Sequence, residues 1–160
     1  MKSVLFVCTG NTCRSSMAEA LLRNILKDKG LDSKVQVSSA GVSALPSMPA
    51  SPEAVEVLAK GWQLDISSHK ATQLTDELVS GADLILTMSK SHQDYILQVV
   101  PEAKEKVFLL SEFAGQNGDV SDPIGRGREE YQRVAEEIEG YLQKALPKMI
   151  DFLGLKEGAE

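Results

Sequence analysis

Short apolar runs alternate along this chain with helical patterns, and that alternation restricts the fold more than any other feature. "SVLFV" (Ser3–Val7) predicts a buried strand, and "SMAEALLRNILKDKG" an amphipathic helix that stops at Gly30. "KVQVSSAG" predicts a second strand. "SPEAVEVLAKGW" predicts a helix with Ser51 as N-cap and Pro52 at its first position, stopping at Gly61. "LTDELVSGADLILTMS" predicts a short helix capped by Thr75, then a third strand over Asp83–Thr87. "SHQDYILQVVP" predicts a helix ending before Pro101, and "KVFLL" a fourth strand. A long helix is expected from Arg126 to about Met149, with Pro147 kinking it or ending it early. Strands separated by helices imply a parallel sheet covered on both faces. The expected fold class is therefore α/β: one domain over residues 1–153, an open four-stranded parallel sheet with helices on both faces, and a loose tail over 154–160. In such a sheet the ligand crevice lies outside the carboxyl ends of the strands.

Composition narrows the partners. The 160 residues suffice for one sizeable core. A net charge of −6 argues against a general binder of the phosphate backbone, so no nucleic acid is expected. No run approaches the apolar length of a membrane span, and "MKSVLFVCTG" turns polar too soon for a signal peptide. These readings point to a cytoplasmic protein without a membrane partner, and a monomer is expected. Two cysteines in a reducing compartment do not make a disulfide framework, and they are too few for a structural zinc site. His69 and His92 show no ligand spacing relative to them, so no metal or other cofactor is expected.

Both cysteines fall in "CTGNTCRS", Cys8 to Ser15, which joins the first strand to the first helix. Gly10 and Asn11 tolerate positive φ, which lets successive backbone N–H groups turn inward into a nest for an anion. The helix N-terminus behind them adds the positive end of its dipole. Arg14 can close the ring with a planar fork matched to phosphate oxygens. The same devices favour a thiolate over a thiol. Cys8, at the carboxyl end of the strand, would lie beneath a bound phosphorus as an activated nucleophile. The Ser15 hydroxyl can donate to its sulfur. The nucleotide P-loop pattern G-x-x-x-x-G-K-[ST] is absent.

Attack on phosphorus needs an acid for the leaving group. "GDVSDPIGRG", Gly118 to Gly127, is a polar loop before the long helix and carries Asp119 and Asp122. Pro123 keeps Asp122 out of the helix. An Asp in such a place commonly caps or turns the chain. Because this loop follows the fourth strand, near the cradle's end of the sheet, Asp122 is assigned the general acid and base, with Asp119 second.

These stretches, together with "SSAG", "SHKATQLT" and "ADLILTM", resemble the low-molecular-weight protein tyrosine phosphatases over nearly the whole chain. The resemblance implies a metal-free, two-step hydrolysis through a phosphocysteine. It gives Cys8 as nucleophile, Arg14 as phosphate clamp and Asp122 as acid and base. The phosphate-binding loop is then Thr9, Gly10, Asn11, Thr12, Cys13 and Ser15, with Asn11 and Ser15 ordering it. Cys13 matches the family's second loop cysteine, which implies a reversible, redox-sensitive disulfide with Cys8. Thr12 stands where tyrosine phosphatases of this family carry Ile or Leu, and "CTGNTCRS" resembles the bacterial protein arginine phosphatases. The implied partner is a phosphorylated protein, phosphoarginine favoured and phosphotyrosine the alternative, because site hydrogen bonds discriminate better than a methylene's worth of packing. Ser16 replaces a common proline, Ile124 replaces an aromatic after "DP", and "GVSALPSMP" lacks the usual ring.

Two rival readings come from the same residues. An arsenate reductase of this fold relays a disulfide through two further cysteines downstream, and none follows Cys13. A phosphate-binding module needs no leaving-group acid, against which Asp122 argues. Outside the loops, His69 is expected to link loops structurally and His92 to lie on the surface. Trp62 is read as core or loop anchor, Tyr131 as core, and Arg126 with Arg128 as a solvated pair.

Overall fold

β1 (Lys2–Cys8) lies inside a four-stranded parallel sheet of order β2-β1-β3-β4, with β2 Val35–Gly41, β3 Leu84–Thr87 and β4 Val107–Leu109. The computed structural model describes residues 1–155. Alternate residues of β1 feed two apolar layers. Val4, Phe6 and Cys8 face the larger core, built with α1 (Arg14–Asp28), α2 (Pro52–Trp62), α5 (Leu110–Phe113) and α6 (Arg128–Phe152). Leu5 and Val7 face the other, built with α3 (Asp76–Gly81), α4 (Lys90–Val99) and a 3₁₀ turn at Pro101–Ala103. A parallel strand buried on both faces must be apolar throughout, which is why "VLFV" reads as a run rather than an alternation.

The strand order reverses at β1, since β2 pairs on one side of it and β3 on the other. The chain leaving β1 therefore opens a crevice at its carboxyl end. That chain is the Cys8–Ser15 loop.

Several local expectations shift. α2 runs past Gly61 to Trp62, and Gln63 supplies the left-handed cap at φ 54°. Trp62 packs half-buried against the larger core. α6 begins at Arg128, after Gly127 at φ 90°, and Pro147 does not end it. Leu146, Met149 and Leu153 are buried around that proline, and their packing outweighs one lost backbone bond. At the C-terminus Gly154 and Leu155 still bond back to Asp151 and Ile150. The remainder of the expected tail, 156–160, lies outside the described residues. No helix among the described residues is long and apolar enough to cross a membrane.

Candidate active site

Cys8 ends β1 and Arg14 opens α1, so the five residues between them must reverse direction within a tight loop. Asn11 does this with φ 62°, in the left-handed region that asparagine tolerates; Gly10 does not take a positive φ. Gly41 at the end of β2 is required for a different reason. A Cβ there would lie 2.4 Å from the Thr9 carbonyl oxygen and 3.0 Å from the Asn11 nitrogen. The loop backbone is thus seated directly on Gly41, whose neighbours Val42 and Ser43 donate to the Cys8 and Thr9 carbonyls.

Asn11, wholly buried, organises the loop's underside. Its Oδ1 accepts from the Thr72 N–H at 2.9 Å, which fixes the amide orientation. Its Nδ2 then donates to Ser15 Oγ at 2.8 Å and to Ser39 Oγ at 2.9 Å. With Ser15 accepting there, its own proton is free for Cys8 Sγ, 2.9 Å away. The Asn11 N–H also points at that sulfur, at 3.3 Å. His69 Nε2 donates to the Asn11 carbonyl at 2.7 Å and joins a distant loop to this one. The Ser39 hydroxyl donates to Glu19 Oε1, 2.5 Å away.

Cys13 points the other way, into the larger core. Its Sγ is 3.0 Å from Ser51 Oγ and 3.3 Å from the Tyr131 hydroxyl. Ser51 stands before α2, yet its side chain serves Cys13 and the Thr12 carbonyl rather than capping the helix. Burial, and then the bond to Cys13, hold the Tyr131 phenol well above its ordinary range. Tyr131 is thus core, as expected, with its hydroxyl reaching the phosphate loop. Ser16, in place of the expected proline, is buried and donates to the Cys13 carbonyl at 2.9 Å.

Arg14 is buried behind the cleft. Nη1 donates to the Val120 carbonyl at 3.1 Å, Nη2 to Thr9 Oγ1 at 3.5 Å, and Nη2 lies 3.6 Å from Asp122 Oδ2. Asp122 is about half exposed, and its Oδ1 accepts from the Ile124 N–H in a local turn. Asp119 is not in the cleft: its carboxylate accepts the Lys90 N–H at the start of α4. The two aspartates are separated by what they cap. A cleft of about 100 Å³ is lined by Cys8, Thr9, Gly10, Thr12, Cys13, Arg14, Asp122 and Ile124. A more voluminous cavity, about 530 Å³, lies along α1 and meets the phosphate loop from behind, at Ser39 and His69. It contains neither sulfur.

His92 departs from the surface position expected of it. It is 4% exposed, with Nε2 2.9 Å from Thr9 Oγ1 and Nδ1 2.8 Å from Ser89 Oγ. The reason is tertiary, since α4 begins where β3 delivers it, beside the cradle. Burial, and secondarily Arg14, lower its pKa to about 4, while Asp119 and Asp122 pull the other way. Arg128 pairs with Glu56, whereas Arg126 is exposed on the acid loop. Among the described residues no three His, Cys, Asp or Glu side chains gather as metal ligands.

The sequence assigns Ser39, Gly41, Thr72, His92 and Val120 no individual site role, because each comes from a separate segment. The "SSAG" at the end of β2 is the one local signal for Ser39 and Gly41.

Known proteins resemble this chain in sequence and in fold. A model of the family described as low molecular weight phosphotyrosine protein phosphatase matches residues 3–152. A protein-arginine-phosphatase of Bacillus subtilis is 43% identical over 88% of this chain and 92% of its own length. One of Geobacillus stearothermophilus is 42% identical over 91% and 95%. A low molecular weight protein tyrosine phosphatase from T. tengcongensis superposes with a TM-score of 0.88 at 47% identity, over 92% of this chain and 99% of that one.

Proposed function

The chain belongs to the low-molecular-weight phosphotyrosine protein phosphatase family and is a cysteine-based phosphatase, and from that premise we propose that it removes phosphate from arginine side chains of proteins. In this reading Cys8 Sγ, receiving the Ser15 proton in a hydrogen bond, attacks phosphorus in line with the leaving group. The loop N–H groups and the Arg14 fork take the charge on the equatorial oxygens. Asp122 protonates the departing guanidine nitrogen as the P–N bond breaks, leaving a phosphocysteine. The resulting carboxylate then removes a proton from water, whose oxygen attacks phosphorus; the thiolate departs and inorganic phosphate is released.

The observation that carries the arginine assignment is the make-up of the cleft. Thr12 brings a hydroxyl to its wall and Ile124 an aliphatic chain, and none of the described residues lining it is aromatic. At position 12 a guanidinium finds a hydroxyl acceptor, whereas a phenyl ring loses the aliphatic wall that Ile or Leu would give it. The two relatives named as arginine phosphatases support the same reading. Neither cysteine is paired in a disulfide, which suits a reducing cytoplasm. In oxidising conditions Cys13 would turn from Ser51 and Tyr131 to pair with Cys8 and shield it.

The test is kcat/KM on one protein bearing phosphoarginine and a matched one bearing phosphotyrosine. Arginine should be preferred, and Thr12→Ile should move the ratio toward tyrosine by about tenfold. A tyrosine preference in the wild-type chain would discard the arginine assignment and keep the chemistry. An unmoved ratio in the variant would show that Thr12 is not the selector.

A further inference from the structure

We propose that His92 is a positioning residue for the phosphate clamp, fastening Thr9 from the start of α4 and so holding the Arg14 guanidinium in its working orientation. The inference rests on the phosphatase reading above. His92 does not line the cleft, so it acts through Thr9.

One arrangement of the hydrogen bonds uses every donor along this chain. A guanidinium donates and never accepts, so Thr9 Oγ1 must offer a lone pair to Arg14 Nη2. The Thr9 proton is then free for His92 Nε2. The proton of the neutral ring sits on Nδ1 and goes to Ser89 Oγ, which also accepts the His92 backbone N–H and gives its own proton to Ser91 Oγ. The chain of donors runs from Arg14 through Thr9 and His92 to Ser89 without a gap. Burial keeps the ring neutral, so it adds no second positive charge beside Arg14.

The same turn of α4 also carries the acid loop. The Lys90 N–H holds Asp119, and the Met88 carbonyl accepts from Val120, whose own carbonyl accepts from Arg14. Arg14 is therefore braced from two directions. Without His92 the Val120 and Asp122 contacts remain, but the Thr9 side is released, and the fork loses the tether that fixes its orientation from the α4 side.

The experiment is hydrolysis of p-nitrophenyl phosphate, with inhibition by inorganic phosphate and by vanadate, which adopts the five-coordinate geometry of the transferring phosphoryl group. His92→Phe and Thr9→Val should each lower kcat by between about tenfold and a hundredfold. Each should weaken vanadate more than phosphate. The double variant should be no worse than the more impaired single one, because both break the same chain. His92→Gln, whose amide can still meet Thr9, should recover part of the loss. Additive losses, unchanged vanadate affinity, or a lower Tm with unchanged kcat would each overturn the inference. Should His92→Phe fail to fold, His92→Gln and Thr9→Val decide together, since Thr9 is exposed and its replacement leaves the core untouched. The inference then requires His92→Gln to be the less impaired of the two and the pair to be non-additive. A wild-type chain that does not turn over overturns the phosphatase reading and this inference with it. Wild-type turnover with unaffected variants overturns the inference alone.

Discussion

The phosphate loop and the acid loop face each other across one cleft and are held in opposite ways. In the first, Asn11, Cys13, Arg14 and Ser15 are buried, and Asn11 alone bonds to Cys8, Ser15, Ser39, His69 and Thr72. In the second, Val120 and Pro123 are buried anchors, while Ser121, Asp122 and the stretch 124–128 are exposed. Gly118, Gly125 and Gly127 all carry positive φ, at 96°, 76° and 90°. The difference follows from the proposed work of each. A transition-state charge is stabilised best by dipoles fixed beforehand, with no reorganisation during reaction. An acid that must admit a bulky protein substrate, and then admit water, gains from a loop that adjusts.

The sharpest way to break the comparison is at the sulfur. Cys8→Ser should lower kcat by at least about 10⁴-fold while inorganic phosphate still binds, measured by turnover and by titration calorimetry. Residual wild-type turnover would remove Cys8 from its role. Asp122→Asn should lower kcat by about 10²- to 10³-fold and leave phosphate affinity nearly unchanged, since its proposed role is toward leaving group and water rather than the bound anion. A loss confined to phosphate affinity would make it a binding residue instead.

Stability should separate the loops further. Asn11→Ala leaves buried partners unsatisfied and puts alanine in left-handed backbone, so urea denaturation should show a loss of about 3 kcal/mol. His92 links α4 to the phosphate loop and should carry a pH signature of similar or smaller size. Its pKa is about 4 in the folded chain against 6.5 unfolded, so below pH 6.5 the unfolded state binds more protons. Its contribution is complete above pH 6.5 and is lost as the pH falls toward 4, on the order of 2 to 3 kcal/mol. The difference between wild type and His92→Gln in urea denaturation from pH 7 to pH 4 measures it; parallel curves would contradict it. Gly125→Ala should cost least, about 1 kcal/mol for the positive φ, because its new methyl group meets no neighbour within 4 Å. If it cost as much as Asn11→Ala, the acid loop would be as rigidly held as the phosphate loop.

What could be read in advance divides along the same line. Cys8 to Ser15 is one continuous stretch whose strand, turn residues and helix start are adjacent, so the cradle was legible as local chemistry. Asp122 was legible because Pro123 beside it excludes a helix. The burial of His92 is not legible, since nothing near it in sequence shows that Thr9, 83 positions away, will face it. Gly41 was invisible as a steric requirement for a similar reason, because the backbone that would strike its Cβ belongs to another strand's loop.

The amino-acid sequence by itself determined the order of strands and helices, the apolar runs that bury β1 on both faces, and the cysteine, arginine and aspartate to which the proposed chemistry is assigned. These depend on backbone preferences and periodicity within a few residues. Tertiary structure alone decided which aspartate meets Arg14 and which caps α4, which way each cysteine points, and which buried hydroxyls hold the loop. Those outcomes depend on distances between segments that come together only when the sheet forms.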